Sequence, residues 1–216
     1  QGISQPFDYT DLAMGEVAYA LRYIGRDVHL AAHSGGGLAF VLALHLKPAL
    51  RTHVRSLSFM GTQATRTDTA PMRFQLLMRL ARWWYPRRGA WDAKRLRRGP
   101  SDESAASLEQ WMDWNAGGCF ADAEGRNVLE AVADWSIPSL HIAGAADVSI
   151  APTAGVKAFA DANGPSARIH LASMKSDGED FTHTRLIRSR AAARQLWPRI
   201  AQFMDAIDAE GAAAYP

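Results

Sequence analysis

Ser34 is the residue whose type and setting could most directly do chemistry, because it combines a hydroxyl with a sharp turn of the chain. It lies in the stretch Ala31-Ala32-His33-Ser34-Gly35-Gly36-Gly37. Segment 27–32 before it is short and mostly apolar, as in a strand, and segment 38–46 after it is apolar enough for a buried helix. Ser34 is therefore predicted to occupy a strained strand-to-helix turn, a nucleophile elbow, from which its Oγ projects away from the backbone.

Three small residues complete this turn. Gly36 and Ala32 supply space where strand and helix nearly touch, although the usual pattern has glycine at the position of Ala32. The Gly35 N–H lies at the helix N-terminus beside the serine and is predicted to stabilise an oxyanion. The alternative is a turn without chemistry or one that binds phosphate. The segment contains neither of the nucleotide-binding glycine patterns, G-x-G-x-x-G or G-x-x-x-x-G-K-S/T.

A serine hydroxyl needs a base to act as a nucleophile at neutral pH, and that base needs an orienting carboxylate. His183 is predicted as the base because it lies in the loop after the last predicted strand, 167–171, and so reaches the same sheet edge as Ser34. The other histidines fit less well, since they lie in strands or in the elbow helix, precede a strand or, like His33, adjoin the serine and are expected to pack.

Asp147 is predicted as the orienting carboxylate because it directly follows the predicted strand 137–144. An ordinary role as a turn or helix-cap residue is the alternative for this aspartate. Two other carboxylates fit less well, one inside the central segment and one at the wrong end of that strand: Asp122 and Asp134. Two more could pair locally with His183 instead: Asp177 and Asp180.

Predicted strands and helices alternate around these residues. Strands are predicted at 27–32, 55–61, 137–144 and 167–171, and helices from Thr10 or Asp11 to about Ile24 and at 38–46, 153–162 and 191–207. The order β-α-β, insertion, β-α-β-α predicts an α/β fold with a mostly parallel sheet flanked by helices. We divide the chain into a first core part, 1–61, a helical cap or lid insertion, 62–136, and a second core part, 137–216.

The predicted insertion holds six of the seven tryptophans and a basic cluster at 73–98, with nine basic residues and one acidic residue. An amphipathic helix is predicted to begin near Pro71, with these side chains on its apolar face: Phe74, Leu77, Met78, Ala81, Trp84 and Tyr85. Four side chains are predicted to line a substrate pocket: Phe74, Met78, Trp84 and Trp111. The alternative is a module that binds membrane or a polyanion through the basic, Trp-rich segment 73–98.

These features together resemble the α/β-hydrolase superfamily, in its serine esterase and lysophospholipase-like branch. The resemblance rests on four motifs: Ala32-His33-Ser34-Gly35-Gly36, then Gly144 with Asp147 and Pro152, then Phe181-Thr182-His183, and also Gly2-Ile3-Ser4-Gln5-Pro6, which is similar to the loop after that family's fourth strand. The first three follow the family's order of serine, acid and histidine. The resemblance covers 1–61 and 137–209, and the insertion lies where these enzymes carry a variable helical cap.

The resemblance also implies what the chain lacks and what it does. The family has several strands before this point, with a loop among them that supplies a second oxyanion amide, so we expect an N-terminally truncated copy. A serine at the elbow separates the chain from the branches that use Asp or Cys there. The implied reaction is acyl transfer through an acyl-enzyme on Ser34, with a small-molecule or lipid carboxylic ester as substrate. Thioesters, amides, transfer to an alcohol, C–C hydrolysis and a non-catalytic relative stay open.

The composition limits the other function classes. The 216 residues, 48% of them hydrophobic, suffice for one domain with a sizeable core, and a net charge of +2 indicates no particular partner. The single cysteine, Cys119, allows no internal disulfide and is expected to be buried, and no apolar run of membrane-spanning length occurs. We expect no cofactor, no metal and no nucleic acid partner, a cytoplasmic location, and peripheral membrane contact through the cap as an option.

Overall fold

A computed structural model describes residues 6–84, 90–91 and 103–213. Its elements, in chain order, are α1 (Tyr9–Asp11), α2 (Ala18–Ile24), β1 (Val28–His33), α3 (Gly35–Leu46), β2 (Val54–Met60), α4 (Met72–Trp84), β3 (Ala90–Trp91), β4 (Glu103–Ser104), α5 (Ala105–Gly117), α6 (Val128–Val132), β5 (Ser139–Gly144), α7 (Thr153–Ala162), β6 (Ala167–Ala172), α8 (Met174–Asp177), α9 (Arg185–Arg188) and α10 (Trp197–Ala213). The short strands β3 and β4 pair antiparallel. Residues 1–5, on which part of the resemblance rests, lie outside the described ranges.

The four longer strands form one parallel sheet in the order β1-β2-β5-β6. His33 pairs with Met60, and Met60 with Ile142, so the carboxyl ends of the strands lie at one edge of the sheet. The loops after β1, β2 and β5 meet at that edge. The predicted α/β fold, with a mostly parallel sheet flanked by helices, is confirmed.

The core occupies both faces of this sheet. Phe59 belongs to an apolar cluster built around α3, and the next residue, Met60, belongs to a second cluster that includes α10, because alternate side chains of a strand point to opposite faces. Trp114 and Phe120, which lie in the predicted insertion, pack in the first cluster. Part of segment 62–136 thus contributes to the main core, and the division of the chain into core and cap stays a prediction.

The first helix begins earlier than predicted. Asp8 is its N-cap, whereas the sequence pattern favoured Thr10 or Asp11. The reason is a reciprocal capping box: Asp8 accepts a hydrogen bond from the Asp11 N–H at 2.9 Å, and Asp11 accepts one from the Asp8 N–H at 3.0 Å. A π-helical stretch, Leu12–Val17, joins α1 to α2, and the helix ends at Gly25 in a left-handed conformation with φ 59°, as predicted.

Helices α4 and α5 form a small apolar contact of their own. Ala81 and Met112 are buried there, with Met78 packed against them. Leu77, predicted on the buried face of α4, is 38% exposed, because the inward face follows Phe74, Met78 and Ala81. No helix within the described ranges has both the length and the apolarity needed to cross a bilayer.

Candidate active site

The turn between β1 and α3 holds Ser34 in a rare backbone conformation. Its φ is 57° and its ψ −131°, a left-handed region that a residue with a Cβ rarely enters. Two hydrogen bonds support this strained turn: the Ser34 N–H donates to the Met60 carbonyl at 2.9 Å, and the Thr62 hydroxyl donates to the Ser34 carbonyl at 2.9 Å. The turn has the sharp strand-to-helix geometry that the sequence predicts.

The glycines after Ser34 differ in how much space they have. A Cβ on Gly36 would lie 3.8 Å from its nearest neighbour, the Ala32 Cβ, so Gly36 is not where space is tightest, contrary to the sequence interpretation. A Cβ on Gly37 would lie 2.5 Å from the Thr62 Oγ1, and one on Gly35 would lie 2.3 Å from the Tyr9 hydroxyl oxygen. Gly37 therefore allows α3 to lie close to β2 and the loop after it, whereas Gly35 leaves room for the tip of the Tyr9 side chain.

His183 lies in the loop after α8 and is held against the ends of two strands. Gly144, at the end of β5, permits this approach, because a Cβ there would lie 2.4 Å from the Phe181 carbonyl oxygen. The same carbonyl accepts a hydrogen bond from the Ala146 N–H at 3.0 Å. Gly61, directly after β2 and with φ +59°, faces the imidazole, since a Cβ there would lie 3.2 Å from the His183 Nδ1.

The structure brings the three residues predicted as catalytic together. The His183 Nε2 lies 2.8 Å from the Ser34 Oγ, and the His183 Nδ1 lies 2.6 Å from the Asp147 Oδ2. A carboxylate only accepts, so Nδ1 carries the proton and Nε2 is free to accept the serine O–H. The Asp147 side chain is 2% exposed and that of His183 12%, so the hydrogen bond between them is buried, where it is stronger than in water.

The loop that carries Asp147 is fixed by its own polar contacts. The Asp147 Oδ1 accepts a hydrogen bond from the Ala151 N–H at 3.2 Å, and the Asp147 N–H donates to the Gly144 carbonyl at 3.0 Å. The buried side chain of Gln63 donates to the Ile150 carbonyl at 2.8 Å. This contact joins the loop after β2 to the loop after β5, so the carboxylate is oriented by two neighbouring strands.

The rival carboxylates are engaged elsewhere. Asp177 bonds to the His170 Nε2 at 2.9 Å, and Asp180 accepts from the Met174 N–H at 2.8 Å. Asp122 pairs with the His45 Nε2 at 2.9 Å and with the Arg126 Nε at 2.7 Å. Asp134 is exposed on the surface. The local pairing of Asp177 or Asp180 with His183 does not occur.

His33 contacts the site more closely than its sequence position indicates. Its Nε2–H donates to the His183 carbonyl at 2.9 Å, and the two imidazole rings lie 4.5 Å apart. Burial, and next the charge of His183, lower the pKa of His33 to about 4. His33 is therefore neutral at ordinary pH and fixes the backbone of the histidine loop. The sequence predicted only that His33 packs against its neighbours.

Tyr9 is a second residue that sequence reasoning missed. Its phenol ring fills the space where a side chain at position 35 would lie. The Tyr9 N–H donates to the Gln110 Oε1 at 2.7 Å, and its ring lies 5.3 Å from that of Trp114. Tyr9 therefore forms a wall next to Gly35, whose N–H belongs to the first turn of α3 and is among the amides that a helix start leaves without an intrahelical acceptor.

The predicted pocket residues are only partly located by the structure. Phe74 is buried, and Met78 and Trp111 pack in the contact between α4 and α5. The side chain of Trp84, and most of segment 73–98 beyond it, lie outside the described residues. The pocket stays a prediction. Among the described residues, no group of three or more His, Cys, Asp or Glu side chains is placed to hold a metal ion, and Cys119 is half-buried rather than buried.

The comparisons with known proteins identify the fold. No family model matches the sequence, and no curated protein matches it. Many solved structures are similar, and three of them are described here. A Mycobacterium tuberculosis protein provisionally described as a non-heme bromoperoxidase shares 15% identity over 94% of this chain and 76% of its own, with a TM-score of 0.62. A thermophilic esterase from Thermogutta terrifontis shares 16% over 96% and 75%, with a TM-score of 0.59.

The third is a monoacylglycerol lipase from Paleococcus ferrophilus, 12% identical over 93% of this chain and 77% of its own, with a TM-score of 0.59. These neighbours have the α/β-hydrolase fold. The chain therefore has the α/β-hydrolase fold. At this level of identity the likeness concerns the fold alone, since proteins that share a fold often differ in chemistry.

Proposed function

We propose that this protein is a serine hydrolase that cleaves a carboxylic ester through an acyl-enzyme on Ser34. The observation that carries the proposal is the chain of hydrogen bonds from the Ser34 Oγ through His183 to the buried Asp147. It stands on a strained turn at the carboxyl edge of the sheet, and such a constellation is recognised by its geometry and roles.

In the acylation step, the Ser34 Oγ attacks the ester carbonyl carbon while the His183 Nε2 takes the hydroxyl proton. The carbonyl π electrons move to oxygen, and the Gly35 N–H donates a hydrogen bond to the resulting oxyanion. Asp147 stays ionised and stabilises the imidazolium of His183. When the carbonyl re-forms, the bond to the alcohol oxygen breaks, and His183 gives its proton to the departing alkoxide.

In the deacylation step, a water molecule replaces the alcohol. His183 takes one proton from this water, whose oxygen attacks the acyl carbon and forms a second oxyanion at the same amide. Collapse of this intermediate breaks the bond to the Ser34 Oγ, which takes the proton back from His183. The carboxylic acid leaves and the free serine is restored.

The choice of an ester as substrate follows from the similar structures and from the apolar residues near the site. Two of the neighbours are described as an esterase and a monoacylglycerol lipase, which favours esters over the other acyl compounds. The apolar residues of α4 and α5 favour an apolar acyl group. The non-catalytic alternative makes the opposite prediction about Ser34, so a single labelling experiment decides between them.

The test is covalent labelling of the protein with a fluorophosphonate, followed by mass spectrometry of the labelled peptide and by hydrolysis of p-nitrophenyl esters of increasing chain length. We expect modification at Ser34 that is lost in Ser34→Ala and in His183→Ala. Ser136→Ala is a matched control, because Ser136 also has a positive φ, 54°, and is a serine outside the site. Absence of labelling in a folded protein, or labelling that persists in Ser34→Ala, refutes the proposal.

A further inference from the structure

Helix α4 (Met72–Trp84) is apolar on two opposite sides. Its inward side, with Phe74, Met78 and Ala81, is accounted for by contact with α5 and the core. The outward side is expected to be polar, since the solvent side of a surface helix normally carries charged residues. It is not polar, and this difference from the expected pattern needs a physical reason.

The outward stripe consists of four large apolar side chains, each mostly exposed: Met72 (84%), Leu76 (57%), Leu80 (59%) and Trp83 (62%). At about 100° of rotation per residue they fall within about 80° of the helix circumference. At about 1.5 Å per residue they extend along about 16 Å of the helix. Single exposed apolar residues are ordinary on protein surfaces, whereas a contiguous row marks a surface that binds something apolar.

Arginines border this stripe on both sides. Helical geometry places Arg79 along one edge and Arg73 along the other, and both are exposed. Neither forms an ion pair among the described residues, whereas Arg82, further round, pairs with Asp113 at 2.5 Å. The helix contains no acidic residue. An apolar row between two cationic edges is complementary to a surface with acyl chains below and anionic groups above.

We propose that this face of α4 docks on an anionic lipid surface. The stripe would enter the boundary between headgroups and acyl chains, and Arg73 and Arg79 would extend to the lipid phosphates. A protein partner with an apolar groove is less well matched, because cations on both edges would require acidic groups on both sides of that groove. A membrane surface supplies anions in every direction.

The experiment measures co-sedimentation of the Ser34→Ala protein with lipid vesicles, so that binding is read independently of hydrolysis. One set of vesicles is phosphatidylcholine alone, and the other contains about one third phosphatidylglycerol. We expect binding to the anionic vesicles that weakens as salt rises. Each arginine near an anionic surface contributes about five-fold to the membrane-binding constant. Arg73→Gln with Arg79→Gln should therefore weaken binding roughly thirty-fold.

The apolar stripe is tested by Leu76→Ser with Leu80→Ser. We expect a loss of about ten-fold or more, since each exposed leucine contributes several methylene equivalents to partitioning. Ile169→Ser with Leu171→Ser is the matched control, because these side chains are 47% and 46% exposed on β6, away from α4. Thermal unfolding of each variant checks that it is folded. The control should bind as the unsubstituted protein does.

The proposal would be overturned by no binding to anionic vesicles, by equal binding of the leucine variant and the control, or by binding to heparin or RNA that vesicles do not compete for. Concentration-dependent self-association abolished by the leucine substitutions, without vesicle binding, would also overturn it and assign the stripe to a second copy of the chain. Failure of fluorophosphonate labelling would leave this proposal intact, since vesicle binding does not involve Ser34.

Discussion

Replacing Asp147 with asparagine is expected to lower kcat for ester hydrolysis by about 10⁴-fold and to leave the fold in place. The side chain that is changed is 2% exposed and contacts the His183 Nδ1 at 2.6 Å. Asparagine can keep an oxygen toward the Ala151 N–H, as Oδ1 does now at 3.2 Å, and turn its NH₂ toward Nδ1. The loop therefore keeps its internal hydrogen bond, and unfolding should change little.

The substitution changes which nitrogen of the His183 imidazole carries the proton. An NH₂ donor at Nδ1 requires that nitrogen to accept, so the single ring proton of neutral His183 moves to Nε2. Nε2 faces the Ser34 Oγ at 2.8 Å and can then no longer take the serine proton. The same exchange in a Ser-His-Asp triad lowers kcat by about 10⁴-fold for this reason. The loss should appear in kcat and in the rate of fluorophosphonate labelling alike.

Two nearby aspartates serve as controls for this prediction. Asp180→Asn changes an exposed carboxylate that accepts from the Met174 N–H, and Asp177→Asn changes one that pairs with His170. Each should leave kcat within about three-fold, because neither touches the imidazole of His183. If Asp147→Asn keeps kcat within ten-fold of the unsubstituted protein, or if Asp180→Asn loses as much, the acid is assigned wrongly and the hydrogen-bonded chain does not carry the reaction.

Gly37→Ala should destabilise the protein by about 1–3 kcal/mol, because the added methyl group crowds the buried Thr62. Gly36→Ala should be neutral or slightly stabilising, because there is space at that position. Thermal unfolding measures both effects. His33→Ala should lower kcat about ten-fold by freeing the histidine loop, without moving the acid limb of the pH profile, since His33 is uncharged above its pKa of about 4. A shifted limb would show that His33 is charged at the working pH. Burial would raise the pKa of Asp122, but hydrogen bonds from His45 and Arg126 lower it to about 2. The contribution of Asp122 to stability is therefore present above pH 4 and is lost as pH falls toward 2. In Asp122→Asn, the free energy of unfolding should depend less on pH in that window.

The fold, and the proximity of Ser34, His183 and Asp147, could be predicted because they follow from rules that act locally. An apolar strand, a serine between small residues and an apolar helix define the turn at Ser34 without knowledge of the rest of the chain. Asp147 and His183 follow strands whose carboxyl ends must share one edge of a parallel sheet. Residues far apart in the sequence can therefore be predicted to lie close together, since the topology brings their loops to the same edge.

The features that were missed depend on side-chain packing between distant parts of the chain. The contact of Tyr9 with Gly35 and the hydrogen bond from His33 to the His183 carbonyl follow from rotamers and loop paths that no period or motif encodes. The same is true of the glycines. The sequence pattern favoured Gly36 as the position where space is needed, and only the positions of Tyr9 and Thr62 make Gly35 and Gly37 the crowded ones.

The two proposals meet at α5 (Ala105–Gly117). The inward side of α4 packs on Met112 of α5. Helix α5 also holds Tyr9, whose N–H donates to the Gln110 Oε1 at 2.7 Å. Tyr9 in turn forms the wall beside Gly35. The hydrogen-bonded residues Ser34, Asp147 and His183 are held separately, in the loops after β1, β5 and α8.

A displacement of α4 on docking would therefore reach Tyr9 before it reached the hydrogen-bonded residues. We expect anionic vesicles to change KM for a water-soluble ester by several-fold while kcat stays within about two-fold, because the reacting groups keep their geometry. For the stripe variant Leu76→Ser with Leu80→Ser, anionic vesicles should leave KM unchanged. A vesicle effect on kcat alone would mean that the two parts of the structure are coupled through the elbow rather than through α5.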